Sequence, residues 1–479
     1  MNELPQFRTG FTIPQSESPI RIQFVHVRSS RANAVPLLLI PPFPFPSLTV
    51  GHLVKLFTEP EDAVNHQPFH LVIPSLPGLG FSDSLPTNTA VISSTAGLLD
   101  SLMKRLNYPF YIATNAGAGT SSPAQIDYKI AEWLSTQYPN SCLGTHFISP
   151  VLSRPKLQKY PLQWAKWSIA KSFQASISGY CAEDFSALRR RDQITPSKKS
   201  TTTPQFSLDQ VGLNEPNTLA YALCDSPTGL LVFVLRALRL LAPDKEFTPT
   251  EIINFTQVAW LPGPESALRF WGYCLQHPEK ASRNPSSRPR VGLTVFLGND
   301  QDSSQNGRSG NTGTSGGPPD RGKVPYSCPS WARTRYNVLY TQRASGKPGL
   351  LAWERPEIIA AGARGVAAAV LKEDRRLKPS PPLDPETASP EKAISDVPAD
   401  TAPSGDQPAA TPGPSEETHV QLGLLAPPRI GERPQPSREH SDETRVASNE
   451  SLAAKTPSPI PTTPSPVHSA PPPITVGGP

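Results

Sequence analysis

No Phe, Trp or Tyr follows Trp353, so the C-terminal stretch has little with which to build a core. The net charge is only +5 over 479 residues and no long basic run occurs, so the chain carries no electrostatic footprint for nucleic acid. The five cysteines (Cys142, Cys181, Cys224, Cys274, Cys328) are odd in number, scattered and without a CxxC pair. That argues against a disulfide framework or a zinc site and for a reduced, intracellular protein. Long apolar runs are also missing. The strongest, Gly229–Leu241, is too short to span a membrane and carries Arg236 and Arg239. The opening MNELPQFRTGF has no basic region followed by an apolar one, so it is not a signal peptide. The expectation is a cytoplasmic chain with no transmembrane segment, no metal site, no cofactor and no nucleic-acid partner.

Proline is in excess. There are 59, about 12% against an average near 5%, with a dense share beyond Lys378. Apolar runs rich in branched residues occur at Pro36–Ile40, His70–Ser75, Phe110–Thr114, Leu143–Ser149, Val291–Leu297 and Tyr336–Gln342. They read as buried strands of a largely parallel sheet, with helical periodicity between them at Leu98–Leu106 and Ile126–Tyr138. From about Val151 to Ser286 no such run appears. Leu219–Leu241 and Thr250–Leu275 there read as helices, which predicts a helical insertion between two parts of an α/β core. The division expected is core 1–150, helical insertion 151–286, core 287–375 with a disordered loop at 298–323, and a disordered Pro-rich tail at 376–479.

Several segments then show a family likeness. Leu4–Gly10 (LPQFRTG), Phe24–Arg28 (FVHVR), His70–Asp83 (HLVIPSLPGLGFSD), Asp225–Leu231 (DSPTGLL), Ser330–Asn337 (SWARTRYN) and Ala352–Glu357 (AWERPE) resemble the microsomal-type epoxide hydrolases in order and spacing. The resemblance runs from about residue 4 to about 372 and implies an α/β-hydrolase fold in which the helical insertion is a cap. It also implies that the family's N-terminal extension is missing here. In that family an aspartate on a strand-to-helix elbow attacks the epoxide, and a histidine oriented by an acid activates the water that hydrolyses the ester. Two cap tyrosines hold the epoxide oxygen, and an HGxP loop supplies oxyanion donors.

On that pattern the nucleophile position of the elbow Asn115-Ala116-Gly117-Ala118-Gly119 is Gly117, which has no side chain. Thr120, Ser121 and Ser122 carry hydroxyls nearby, but Ser122-Pro123-Ala124-Gln125 reads as a capping box that starts the next helix. The histidine position falls at Gly349, and no histidine occurs between His277 and His419. His26, His70 and His146 sit in or beside strands and read as structural. Asp300 lies near the acid position, in a polar loop. The HGxP loop reads Pro41-Pro42-Phe43-Pro44, with fewer N–H donors. Leu208 and Trp271 stand where the family has its tyrosines, and Tyr273 lies close by.

The expectation is an epoxide-hydrolase-like chain that is catalytically defective and keeps an apolar pocket between core and cap. Phe43, Pro44, Ala118, Leu208, Trp271 and Tyr273 would contribute to that pocket, with Phe45 and Trp260 nearby, and the partner would be a hydrophobic small molecule. The alternative is an active hydrolase for a lipid or secondary-metabolite epoxide, working through displaced groups such as Thr120 or Asp300. A third reading places protein partners on the tail, where Pro457–Pro461 (PSPIP) would suit SH3- or WW-type grooves.

Overall fold

Each of the six expected apolar runs is a strand, and two more strands precede them. The computed structural model describes residues 4–378 other than 14–15, 63–64, 88, 118–121, 175, 177–178, 194–214, 243–244, 282–287 and 299–325. Its strands are β1 (Gln6–Phe11), β2 (Ile20–Val27), β3 (Val35–Ile40), β4 (Phe69–Pro74), β5 (Tyr111–Asn115), β6 (Cys142–Ile148), β7 (Arg290–Phe296) and β8 (Asn337–Ala344). They form one sheet in the order β1-β2-β4-β3-β5-β6-β7-β8. β1 with β2 and β2 with β4 are antiparallel, and every other neighbour pair is parallel.

The parallel part is buried on both faces, which is why its strands read as continuous apolar runs. β3 illustrates the pleat: Leu38 and Ile40 enter one hydrophobic cluster, while Leu37 and Leu39 enter another. β1 and β2 are absent from the expected runs because Gln6, Arg8 and Thr9 interrupt any apolar stretch. They form a hairpin-like pair whose β1 side is only half-buried.

The helices are α1 (Val54–Thr58), α2 (Val91–Arg105), α3 (Ile126–Gln137), α4 (Pro161–Phe173), α5 (Ala182–Gln193), α6 (Pro216–Asp225), α7 (Pro227–Leu241), α8 (Pro249–Trp260), α9 (Glu265–Gln276), α10 (Leu351–Glu354) and α11 (Pro356–Glu373). α4 to α9 lie between β6 and β7, where no strand occurs among the described residues. Proline opens α4, α6, α7, α8 and α11, a position where its missing N–H costs nothing.

Two helical expectations are corrected in detail. Leu219–Leu241 is not one helix: it breaks at Ser226–Pro227, and α6 and α7 meet at a 120° bend. Pro227 cannot continue the ladder of α6, and the Ser226 side chain accepts from Gly229 N–H to start α7. Thr250–Leu275 is likewise two helices, because Pro262, Gly263 and Pro264 separate α8 from α9. Among the described residues no single helix is long and apolar enough to cross a membrane, and the bent α6–α7 pair meets that test only jointly, by length and composition.

Candidate functional site

β5 ends at Asn115, and the chain then turns through Ala116 to Gly117 at the C-terminal edge of the parallel sheet. Asn115 is fully buried and anchors the turn. Its Oδ1 accepts from the Ile148 N–H (3.1 Å), and its Nδ2 donates to Asp127 Oδ2 (3.0 Å). Asp127 stands in the first turn of α3 and is itself fully buried. A Cβ added at Gly117 would lie 2.7 Å from the Asp127 Cγ, far inside van der Waals contact. The space that a side chain at 117 would need therefore already holds a carboxyl group.

Burial pushes the Asp127 carboxyl above its ordinary value, opposed by contacts with Ser122, Asn115 and backbone N–H groups. Ser122 Oγ and Asp127 Oδ1 face this buried region without a hydrogen bond of good geometry. The expected capping box does not form. Ser122 makes no side-chain cap, Pro123–Gln125 is a single 3-10 turn, and Gln125 adopts a left-handed conformation (φ 56°) before α3 begins at Ile126. The helix thus starts well past the elbow.

Gly349 repeats the pattern of Gly117 at a second place. It precedes α10 with φ +56°, and a Cβ there would lie 2.7 Å from the Glu354 Cδ. Glu354 is held in position by the Leu350 N–H, which donates to its Oε1 at 3.0 Å. His52 approaches the same segment: its Nε2 lies 2.6 Å from the Ala352 carbonyl oxygen and its ring adjoins Trp353.

The proline-rich loop after β3 faces the helical insertion. Its Phe45 N–H is spent on the Pro42 carbonyl (2.8 Å) and the Ser47 N–H on Ser75 Oγ (3.1 Å). Ser75 and Ser47 both donate to the buried Gln23 Oε1, which ties this loop to β2 and to the loop after β4. Phe43 stacks on Phe270 (5.7 Å) and meets Trp271 edge-on (6.0 Å). Phe45 packs against Phe255 and Trp353.

Between this loop, Gly78–Gly80 and helices α7, α8 and α9 lies an apolar cavity of about 80 Å³. Pro44, Phe45, Phe233, Ala267 and Trp271 are among its walls. Phe43 does not line it, but packs against the wall residue Trp271. Tyr273 points elsewhere, stacked on His277 at 4.4 Å. Gly117 and Gly349 do not line the cavity.

Residues 1–50 match the family model described as Epoxide hydrolase N terminus. The chain is 22% identical to Epoxide hydrolase 1 of Sus scrofa over 383 residues, covering 75% of this chain and 73% of that protein. It is also 22% identical to Juvenile hormone epoxide hydrolase 1 of Ctenocephalides felis, over 49% of this chain and 46% of that one. Among solved structures, the juvenile hormone epoxide hydrolase of the silkworm Bombyx mori superposes with a TM-score of 0.53 at 17% identity, covering 78% of this chain and 80% of that chain. These matches support a relationship of the chain to the microsomal-type epoxide hydrolases. Its fold is that of the α/β-hydrolases, a mostly parallel sheet flanked by helices. The chain spans 60%, 46% and 45% of the length of three curated relatives that it matches.

The residues matched by the N-terminal family model include β1 to β3. Of the family positions assigned above, Gly117, Gly349 and Trp271 are placed as described. Ala118, Thr120, Ser121, Leu208 and Asp300 lie outside the described residues, as do most of the 298–323 loop and the tail from 379 with its PSPIP segment.

The strand histidines are held by the fold. His146 is fully buried, with Thr114 Oγ1 at 3.0 Å from Nδ1 and Thr294 Oγ1 at 2.8 Å from Nε2. Burial lowers its pKa to about 3, so it is neutral. His26 bonds Tyr108 and is lowered to about 4 by burial, with Arg28 and His70 adding to the effect. The sequence reading missed Asp127 and Glu354 altogether. A helix-start acid is ordinarily a solvated capping residue, and only the three-dimensional placement puts these two against the glycines.

Proposed function

We propose that this chain is a catalytically defective epoxide-hydrolase-like α/β-hydrolase that binds an apolar small molecule in the cavity under α7, α8 and α9, with the helical insertion serving as a cap. One observation carries the reading. At the positions that the family assigns to its nucleophile and its histidine, a glycine is present and a neighbouring carboxyl group, Asp127 or Glu354, fills the space. Neither carboxyl replaces the missing base, and the proline-rich loop offers few free donors to an oxyanion. At about 80 Å³ the cavity is smaller than the ~300–1,000 Å³ usual for ligand pockets, so in its present shape it accepts a small apolar group. All five cysteines are unpaired, which suits a reducing, cytoplasmic setting.

The test compares purified protein with a heat-denatured control on styrene oxide and on a long-chain epoxide, and titrates binding of the corresponding diols by tryptophan quenching. Binding without turnover is expected. Turnover above the control, abolished by a single substitution, would overturn the reading.

A second reading has its own observation. Because the Asp127 carboxyl stands at the elbow, a displaced nucleophile there is the natural agent of an active hydrolase for a hydrophobic epoxide. Its complete burial counts against it, since an epoxide must reach the attacking carboxylate. Asp127→Asn distinguishes the two, because only under this second reading does that change abolish a measurable turnover.

A further inference from the structure

α4 presents a buried side and an exposed side, about 110° apart around the helix. Trp167 and Ala170 are buried, with Trp167 packed against Tyr180, Phe185 and Trp331. Away from them, Leu162 is 77%, Ile169 50% and Phe173 74% exposed. At ~100° per residue these three fall within roughly 40° of one another, forming a single apolar row along the outside of the helix. Leu157, just before the helix, is exposed as well.

The charge along this stretch of the chain has one sign. Between Glu132 and Glu183 the chain contains no Asp or Glu, while Arg154, Lys156, Lys159, Lys166 and Lys171 fall in this interval. Arg154 stacks over Trp331, and all four lysines are exposed. Lys166 stands one turn from Leu162, on the same side as the apolar row, whereas Lys171 lies on the other side of the helix.

An exposed apolar row costs free energy in water unless something covers it. An apolar row bordered by lysines is the pattern of a helix lying in a membrane interface, with its apolar side among acyl chains and its cations at anionic headgroups. A second copy of the chain is disfavoured as the cover, because twofold apposition of this face would bring lysines against lysines. We propose that α4 and the segment leading into it dock the protein on the surface of an anionic lipid bilayer. The occupant is a lipid surface bearing phosphate or carboxylate headgroups, bound peripherally.

The experiment is co-sedimentation of the full chain with vesicles of equimolar phosphatidylcholine and phosphatidylserine, alongside vesicles of phosphatidylcholine alone. Binding to the first and not the second, weakened by added salt, is expected. Leu162→Ser with Phe173→Ser should weaken binding at least tenfold without moving the melting temperature, since both side chains are exposed. Replacing Lys156, Lys159 and Lys166 by Gln should weaken it by about fivefold per lysine. Binding that is independent of phosphatidylserine, or untouched by the Leu162/Phe173 pair, would overturn the proposal. So would a chain that runs as a dimer and becomes a monomer with that pair, which would identify a second copy as the cover.

Discussion

The Asp127 carboxyl carbon stands 2.7 Å from the place of a Cβ at Gly117, so the glycine and the aspartate are one packing unit. Glycine at 117 is thereby more than the loss of a side chain. It is the condition under which a fully buried Asp127, hydrogen-bonded by Asn115, can sit against the end of β5.

This makes the two positions energetically coupled. Gly117→Ala should destabilise the protein by about 1–3 kcal/mol, the usual cost of overpacking a well-filled site. In the Asp127→Gly background the same change should cost markedly less, giving a clear interaction in a double-mutant cycle read by urea unfolding. Gly117→Asp alone should restore no epoxide turnover, because its carboxyl would have to displace another. Additive single effects would show that the two sites do not share space.

The same contact explains what the sequence could and could not disclose. The parallel strands were legible because burial on both faces demands apolar runs such as Leu37–Ile40 and Val291–Phe296. The edge pair β1–β2 was not, since the half-buried β1 admits Gln6, Arg8 and Thr9 across its two faces. The helical insertion was legible as a region, but its bends at Ser226–Pro227 and Leu261–Pro264 were hidden because apolar periodicity continues across them. At the site, the absence of a side chain at Gly117 and Gly349 could be read directly. What fills the gap could not, because Asp127 and Glu354 reach the glycines only through the geometry of a turn.

The pH dependence of stability should carry the mark of His146. Its pKa is lowered from 6.5 to about 3 by burial, so below the ordinary value the unfolded chain binds a proton that the folded chain refuses. The stabilising contribution is thus full above about pH 6.5 and is lost as pH falls toward about 3, with a slope of roughly 1.4 kcal/mol per pH unit. His26, lowered to about 4 by burial and by Arg28 and His70, adds a contribution of the same sign. Urea unfolding at a series of pH values should therefore give a shallower dependence for His146→Gln than for the parent. Identical slopes would mean that His146 is protonated in the folded chain.

A buried ion pair fastens the insertion to the sheet. Asp184, at the start of α5 and wholly buried, accepts from Arg343 of β8 through both Nε (2.8 Å) and Nη2 (2.9 Å), and also from the Tyr326 hydroxyl. The Cys181 N–H donates to the same carboxylate (2.9 Å). Removing only Arg343, as Arg343→Met, leaves an uncompensated buried charge and should cost about 3–5 kcal/mol. Asp184→Leu together with Arg343→Met should recover much of that loss. Thermal melting of the three variants decides it, and a melting temperature for Arg343→Met equal to the parent would show the pair to be dispensable.

Ligand binding under the insertion can be tested by filling the cavity. Ala267 is a half-buried wall residue on α9, and the space it faces measures about 80 Å³. Ala267→Leu extends an apolar side chain into that void, where each added methylene gains contacts instead of displacing packed atoms. The melting temperature should hold or rise, while affinity for an apolar probe such as a naphthalene dye should fall at least tenfold. Leu230→Ala, on the opposite wall, should do the reverse, admitting larger probes at a cost of about 2–5 kcal/mol in stability. If both variants bind the probe as the parent does, the ligand sits elsewhere and the cavity is a packing defect.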